Sequence, residues 1–393
     1  MEHYRQEFQP PARLLLGAGP SNVNPRVLQA MSMSLVGHLD PNFLQVMDDV
    51  ADMLRLVFRT NNDLTLPISG TGSAGMEAAL VSVLEHGDSI VVGINGFFGE
   101  RIAQIAERCG ATVHRVEATW GHPLDPEAIE AELKRHNGVK AVAFVHAETS
   151  AGVLTPPQPI VDIAHHHGAL ALVDTVTSLG GVEVDVDGWE ADVCFSGSQK
   201  CLGCPPGLAP VTVSPRAETV MQDRQTLVQS WYLDMTLLRR YWSGTRMYHH
   251  TAPISMLYGL REGLRVVLEE GLSTRIQRHT QVSTALKAGL EALGLRLFAQ
   301  EGYRLPNLTT VRIPDGVDDA AVRSALMERY GIEIGGGLGP VAGQVWRIGL
   351  MGENATASSV LTILSALEDL LPENGYEIGR GEGVAAAQRA LAE

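Results

Sequence analysis

Lys200 and Asp174 are placed so that they could do covalent chemistry together. Lys200 ends the run Asp192-Val193-Cys194-Phe195-Ser196-Gly197-Ser198-Gln199-Lys200, a short apolar stretch that passes into small hydroxyl and glycine residues. Twenty-six positions upstream, Ala169-Leu170-Ala171-Leu172-Val173 reads as a second buried strand, and it ends in Asp174. A lysine and an aspartate at two strand ends suit a pyridoxal 5′-phosphate (PLP) enzyme. The lysine supplies the amine that links to the cofactor, and the aspartate keeps the pyridine nitrogen protonated. Taken alone, Lys200 reads first as a solvated lysine at a strand end, and the rest of the chain has to overturn that reading.

The elements that would deliver these residues alternate along the chain. Leu64–Ser69 reads as a strand, and it runs into Gly70-Thr71-Gly72-Ser73-Ala74-Gly75 and then the helical Met76–Leu84. Strand, glycine-rich turn and helix N-terminus make an anion site, with the hydroxyls of Thr71 and Ser73 beside free backbone N–H groups. A plain structural turn would look the same, and no Gly-Lys-Ser/Thr follows to make a P-loop. Strands at 89–93, 112–116 and 140–146 alternate with helices at 98–109, 126–136 and 159–167, before the strand that ends in Asp174. This alternation predicts an α/β fold with a mostly parallel sheet and helices on both faces. Ligands in such sheets bind beyond the carboxyl ends of the strands. Thr71 and Ser73, 95–98, 146–149, Asp174 and Lys200 all follow strands, so one site could collect them.

Residues 1–12 are expected to form an extended arm and 13–270 a large domain closed by a helix over Pro253–Glu270, with Gly271 as its stop. Residues 271–376 read as a small α+β domain, with helices near 273–293, 318–329 and 357–371 and strands near 295–298, 308–313, 332–334 and 345–349. Residues 377–393 are left as a tail with a peripheral helix. A hydrophobic fraction of 45% can supply a sizeable core. A formal charge of −15 argues against nucleic acid or an anionic membrane as partner. No apolar run is long enough to span a bilayer. The N-terminus lacks the apolar centre of a signal peptide, and four cysteines suit a reducing compartment, so the cytoplasm is expected.

The residues that order these elements carry a resemblance. They are Gly19-Pro20-Ser21-Asn22, Gly37-His38-Leu39-Asp40-Pro41, Ser69-Gly70-Thr71-Gly72, Val173-Asp174, Ser196–Lys200, Pro205-Pro206-Gly207, Arg246–Thr251 and Arg347-Ile348-Gly349. From about Leu14 to Leu371 the chain resembles the class V branch of the fold type I PLP aminotransferases, nearest to those that act on alanine and glyoxylate. The resemblance implies a seven-stranded, mostly parallel sheet plus a small C-terminal α+β domain. It implies Lys200 as the cofactor-linking residue and general base, with its pKa lowered towards roughly 7–8. Asp174 would pair with the ring nitrogen, Phe98 would cover the ring face, and Thr149 would sit near its phenolic oxygen. Thr71, Gly72, Ser73 and Gln199 would hold the phosphate and ring edge. Tyr248 and Thr251 would reach the phosphate of a neighbouring subunit, implying a homodimer with shared sites. Arg347 would grip the substrate α-carboxylate in bidentate geometry, with Ser21 and Asn22 beside it.

The implied reaction moves an amino group from a small amino acid, alanine favoured, to glyoxylate by a ping-pong cycle, giving glycine and a 2-oxo acid. (S)-Ureidoglycine and serine are the alternative donors. Tyr241-Trp242-Ser243 and the Gly- and Ala-rich tail look similar to the ureidoglycine enzymes, but those tend to carry asparagine where Tyr248 stands. Gln199 departs from the histidine that cysteine desulfurases need before their lysine. A silent PLP-fold binding protein is the reading from another class, and the joint presence of Lys200, Asp174 and Arg347 argues against it. Three features are read as structural and no metal site is expected: the Cys201/Cys204 pair lacks a second pair at zinc spacing, His165-His166-His167 closes a helix, and His249 and His250 scaffold a loop.

Overall fold

A computed structural model describes residues 2–5 and 7–392; Met1, Gln6 and Glu393, parts of the expected arm and tail, lie outside them. The arm opens with a 3-10 turn at Glu2–Arg5, where an extended segment was expected. There follow β1 (Leu14–Leu16), α1 (Pro25–Met31), α2 (Pro41–Phe58), β2 (Leu64–Ser69), α3 (Gly72–Val83), β3 (Ser89–Ile94), α4 (Phe97–Arg108), β4 (Thr112–Glu117), α5 (Pro126–Arg135) and β5 (Val139–Val145). A short hairpin of β6 (Ala147–Glu148) and β7 (Val153–Leu154) leads to α6 (Gln158–His166), β8 (Leu170–Asp174), α7 (Val186–Trp189), β9 (Val193–Phe195) and β10 (Leu208–Val213). Three helices, α8 (Pro215–Gln222), α9 (Met235–Trp242) and α10 (Ile254–Glu270), complete this half. The rest comprises α11 (Leu272–Ala292), β11 (Leu308–Arg312), α12 (Asp319–Arg329), β12 (Ile332–Gly336), β13 (Val345–Gly349), α13 (Ala357–Glu373) and α14 (Glu382–Ala392).

The large sheet has seven strands in the order β2-β10-β9-β8-β5-β3-β4. Only β10 runs against its neighbours, and the pairs from β9 to β4 are all parallel. Its strands are buried on both faces, which is why they read as near-continuous apolar runs. In β8, Ala171 and Val173 join the core shared with α2, α5, α6 and α10, while Leu170 and Leu172 join the core under α3, α4, α8 and α9. The helices start where local chemistry dictates. The Asp40 side chain accepts from Asn42 N–H at the head of α2 with Pro41 in the first turn, and Phe43, Met47, Val50, Leu54 and Val57 form its buried stripe.

The small sheet corrects the expected domain boundaries. Its order is β1-β12-β13-β11, so Leu14–Leu16 belongs to it rather than to the large domain. Leu14 pairs with Ile332, and Leu16 lies in the same core as Trp346 and Ile348. Sequence adjacency placed β1 with the residues after it, but a three-residue strand goes wherever an edge is open. Residues 295–298 form no strand; a single bridge joins Leu297 to Val311. The tail is also not a separate unit, because α14 packs on α11 and α13 with Ala387 fully buried. Glu368 of α13 accepts from Gly381 and Val384 N–H, caps the N-terminus of α14, and so fixes the tail to the small domain. No helix among the described residues is long and apolar enough to cross a membrane.

Candidate active site

The turn after β9 is held so that Lys200 has one place to go. Ser196 N–H donates to Pro210 O at 2.7 Å, and Ser198 Oγ donates to Pro205 O at 2.6 Å. Ser21 reaches across from the N-terminal loop, donating through Oγ to Lys200 O at 2.9 Å and through N–H to Gln199 O at 3.0 Å. The Lys200 side chain then enters a cavity of about 220 Å³, and its amine donates to Ala18 O. Gly19 covers it. A Cβ there would lie 2.7–2.9 Å from Lys200 Cδ, Nζ and Cε, and its φ of +102° suits glycine besides. Lys200 is 7% exposed, and burial first and the Arg347 charge second bring its amine down to about 8.

Asp174 ends β8, with Phe195 as its partner on β9, so the strand register sets the two functional groups side by side. Its Oδ1 accepts from Val176 N–H at 2.8 Å. Burial, assisted by the charge of Glu148, pushes its carboxyl up to about 7. A cationic ring nitrogen placed against it would reverse that shift and hold the aspartate ionised.

The opposite wall is made by Thr71, Gly72 and Ser73 at the head of α3, with Phe98, Thr149 and Gln199 also lining the cavity. Gly72 and Ser73 are first-turn residues whose N–H groups have no partner inside the helix. Gln199 Oε1 is buried without a hydrogen-bond partner among the described residues. A lowered amine, a raised carboxyl, a cradle of free N–H groups and an orphaned amide oxygen fit the four ends of a phosphorylated pyridine aldehyde. The residues present therefore suit PLP.

Arg347 lies on β13, where alternation sends Trp346 into the small-domain core and Arg347 towards the site. Trp346 Nε1–H bonds Asp319 Oδ1 at 2.9 Å and locks the strand. Arg347 spends Nε on Gly336 O at 2.8 Å and points Nη1 at Thr149 O at 3.5 Å. Its other terminal donors remain for a carboxylate.

Asn22 is engaged otherwise. Its Oδ1 accepts from Leu15 N–H and its Nδ2 donates to Arg13 O, both at 2.9 Å, so its side chain shapes the loop that carries Ala18 and Gly19. Tyr248 and Thr251 do not line the cavity of their own chain. Tyr248 is 58% exposed, its hydroxyl lies 3.4 Å from Thr251 Oγ1, and its ring centroid is 5.4 Å from that of His38.

The structural features fall into place by packing. Cys201 Sγ faces Thr177 O and Asn307, Cys204 Sγ faces Leu202 O and Gly259 O, and burial pushes both thiols up. His165 bonds Asp192 at 2.9 Å. His249 stacks on Trp231 and bonds His250, which in turn meets Ser69 Oγ at 2.7 Å. His114, Glu132 and His136 also cluster, but the two imidazoles stack 3.5 Å apart and 15° from parallel. Their in-plane lone pairs therefore do not converge on one ion.

Two residues at the site escaped the sequence reading. Arg101 lines the cavity from α4. Glu148, 0% exposed, accepts from Phe98 and Gly99 N–H through Oε2 and from Ser150 N–H and Oγ–H through Oε1, at 2.6–3.3 Å. It thus closes the N-terminus of α4 and fixes Phe98 in the cavity wall. A Cβ at Gly96 would lie 2.3 Å from Glu148 Cγ, so glycine is required there by contact. Burial raises the Glu148 pKa, but all four partners are donors and suit the ionised form. The Glu-Thr-Ser triplet is visible in sequence; nothing local says that its glutamate turns back 50 positions. Glu148→Gln must set its NH₂ against N–H donors, so it should lose about 1–3 kcal/mol of stability in chemical unfolding. An unchanged unfolding midpoint would refute this capping role.

Residues 13–356 match the family model described as aminotransferase class-V. The chain is 44% identical over 365 residues to an alanine–glyoxylate aminotransferase of Callithrix jacchus, covering 92% of this chain and 88% of the relative. It superposes on the crystal structure of a ureidoglycine–glyoxylate aminotransferase from Bacillus subtilis with a TM-score of 0.96, at 43% identity and covering 99% and 100% of the two chains. An alanine–glyoxylate aminotransferase structure from Nostoc sp. gives a TM-score of 0.91 at 48% identity, covering 94% and 99%.

Proposed function

The chain belongs to the class V aminotransferases, and from that premise we propose that it transfers the amino group of alanine to glyoxylate, using PLP held by Lys200. When bound, PLP supplies an electron sink that acidifies the substrate Cα–H. The protein's part is placement and proton traffic. Arg347 would bind the α-carboxylate, Asp174 would keep a proton on the ring nitrogen, and Phe98 would stand as the aromatic wall beside the ring. The amine of Lys200 takes the proton from Cα and returns it one position further along.

The observation that carries the small-donor reading is the path of Ala18–Gly19. This backbone lies against Lys200 on one side and beside Gly335 on the other, where a Cβ on Gly335 would be 3.6 Å from Ala18 N and 3.5 Å from Arg347 Nη2. On this reading a donor held between the two cations is bordered by main chain, which suits a small side chain. Tyr248, with His38 against it, supports alanine over (S)-ureidoglycine. The Bacillus subtilis relative favours ureidoglycine as second reading, with serine beside it.

The exposed apolar residues Leu28, Met33, Leu35, Trp231, Met247 and Tyr248 support a homodimer in which Tyr248 and Thr251 complete the neighbour's phosphate site. Four buried, unpaired thiols support a reducing compartment, the cytoplasm. Stopped-flow mixing with alanine, serine or ureidoglycine should bleach the cofactor band fastest with alanine. A faster reaction with ureidoglycine would replace the alanine reading, and no bleaching with any of the three would refute it.

A further inference from the structure

We propose that Arg101 is the guanidinium partner of the cofactor phosphate in its own chain. The inference rests on the PLP reading above and extends it to a residue that no motif pointed to. Three cations border the site, and two already have work. Lys200 faces Ala18–Gly19 and Asp174, and Arg347 stands at the small domain beside Thr149. Arg101 is the third, and it is at the α3 end.

Its placement follows from helix geometry. Arg101 is four residues after Phe97 on α4, so the two share a face. Its guanidinium carbon lies 5.1 Å from the Phe97 ring centroid and 5.0 Å from that of Phe98. Cation–π attraction and the bond to Ser73 hold the head in one place. Nη1 donates to Ser73 Oγ at 3.0 Å, on the first turn of α3. Its hydrogen bond goes to Ser73, and no carboxylate among the described residues lies within ion-pair distance of it, though its charge acts at longer range on Asp174. A guanidinium has five N–H donors, so most of the fork remains available beside the N–H groups of Gly72 and Ser73.

A phosphomonoester is the anion this arrangement suits. It carries close to two negative charges and three acceptor oxygens, matching a fixed guanidinium plus a helix N-terminus. Arg101 also ties the phosphate to the ring clamp, because the same head that meets Ser73 rests on Phe98. It is a binding and positioning residue, and the proton transfers remain with Lys200.

The test uses the full chain freed of cofactor, titrated with PLP and, separately, with pyridoxal, which lacks the phosphate. Arg101→Met should weaken PLP by about ten- to hundredfold and pyridoxal by less than about threefold, since the charge-assisted bonds to the phosphate are lost to PLP alone, whereas the lost contacts to Phe98 and Ser73 bear on both ligands. Arg101→Lys, which keeps a stem over Phe98 and a point charge, should fall between. Equal weakening of PLP and pyridoxal would mean that Arg101 only supports the Phe98 wall, and the proposal would be wrong. No change with either ligand would also overturn it. If the unaltered chain takes up neither compound, the PLP reading itself fails, and that outcome is distinct from an Arg101 effect.

Discussion

Lys200→Ala should reduce transamination by on the order of 10⁴-fold or more, because in the proposed mechanism one side chain would supply both the cofactor link and the proton shuttle. No other lysine among the described residues lines the cavity. Arg347, whose charge acts on Lys200, cannot give up its proton at working pH. Lys200→Arg should fail as completely, which separates loss of a transferable proton from loss of positive charge. The fold should tolerate both changes, since the turn is held by Ser196, Ser198 and Ser21 through main-chain partners and not by the lysine head. The amine also predicts a pH trend. With its pKa near 8, the neutral, nucleophilic fraction grows about tenfold from pH 7 to pH 9, and the rate of cofactor capture should grow with it. The sign follows from burial, which favours the uncharged amine. Single-turnover measurements with alanine, and capture rates across that range, would check both; a Lys200→Ala protein that still converts alanine at a hundredth of the normal rate would remove Lys200 from the mechanism.

Arg347→Leu should cost on the order of 10²–10⁴-fold in kcat/KM for the amino donor and the oxo acceptor alike. Each charge-assisted hydrogen bond to a carboxylate is worth about 1.5–3 kcal/mol, and a fork makes two. The symmetry is the informative part. Alanine and glyoxylate differ at the reacting carbon but share the carboxylate, so a group that holds only the carboxylate must affect both half-reactions by a similar factor. Arg347→Lys should recover little, because Nε is already committed to Gly336 O and the geometry depends on a planar fork. The loss should sit mainly in KM. A penalty confined to one half-reaction would place Arg347 elsewhere than on the carboxylate. In both tests, Glu148→Gln provides a comparison whose effect should pass through the position of Phe98 rather than through a lost substrate contact.

Much of this was legible in the chain because it is local. A buried parallel strand must be apolar, and the first polar residue after it falls at the sheet's carboxyl edge. Asp174, Lys200 and Thr71–Ser73 therefore announced both their elements and their end of the sheet. Arg347 came from resemblance and from its position on a late strand. What the sequence could not order was anything that depended on which distant surface a short element finds. Leu14–Leu16 joined the small sheet, because three residues carry no pairing preference and Ile332–Gly336 offered an open edge. The tail helix docked on α11 and α13, because Ala387 fits a gap and Glu368 caps the helix.

The site divides along the same line. Strand ends determined by hydrophobic periodicity delivered the lysine, the aspartate and the Thr71–Ser73 turn. Tertiary packing alone decided that Glu148 bends back to cap α4, that Arg101 lies over Phe98 beside Ser73, that Asn22 serves the loop, and that Ala18–Gly19 closes over Lys200. Those contacts span up to 182 positions, and no local pattern encodes which buried carboxylate or exposed guanidinium will meet which helix end. Lys200 itself shows the division. Its position followed from an apolar strand, but its lowered pKa exists only once burial and Arg347 surround it.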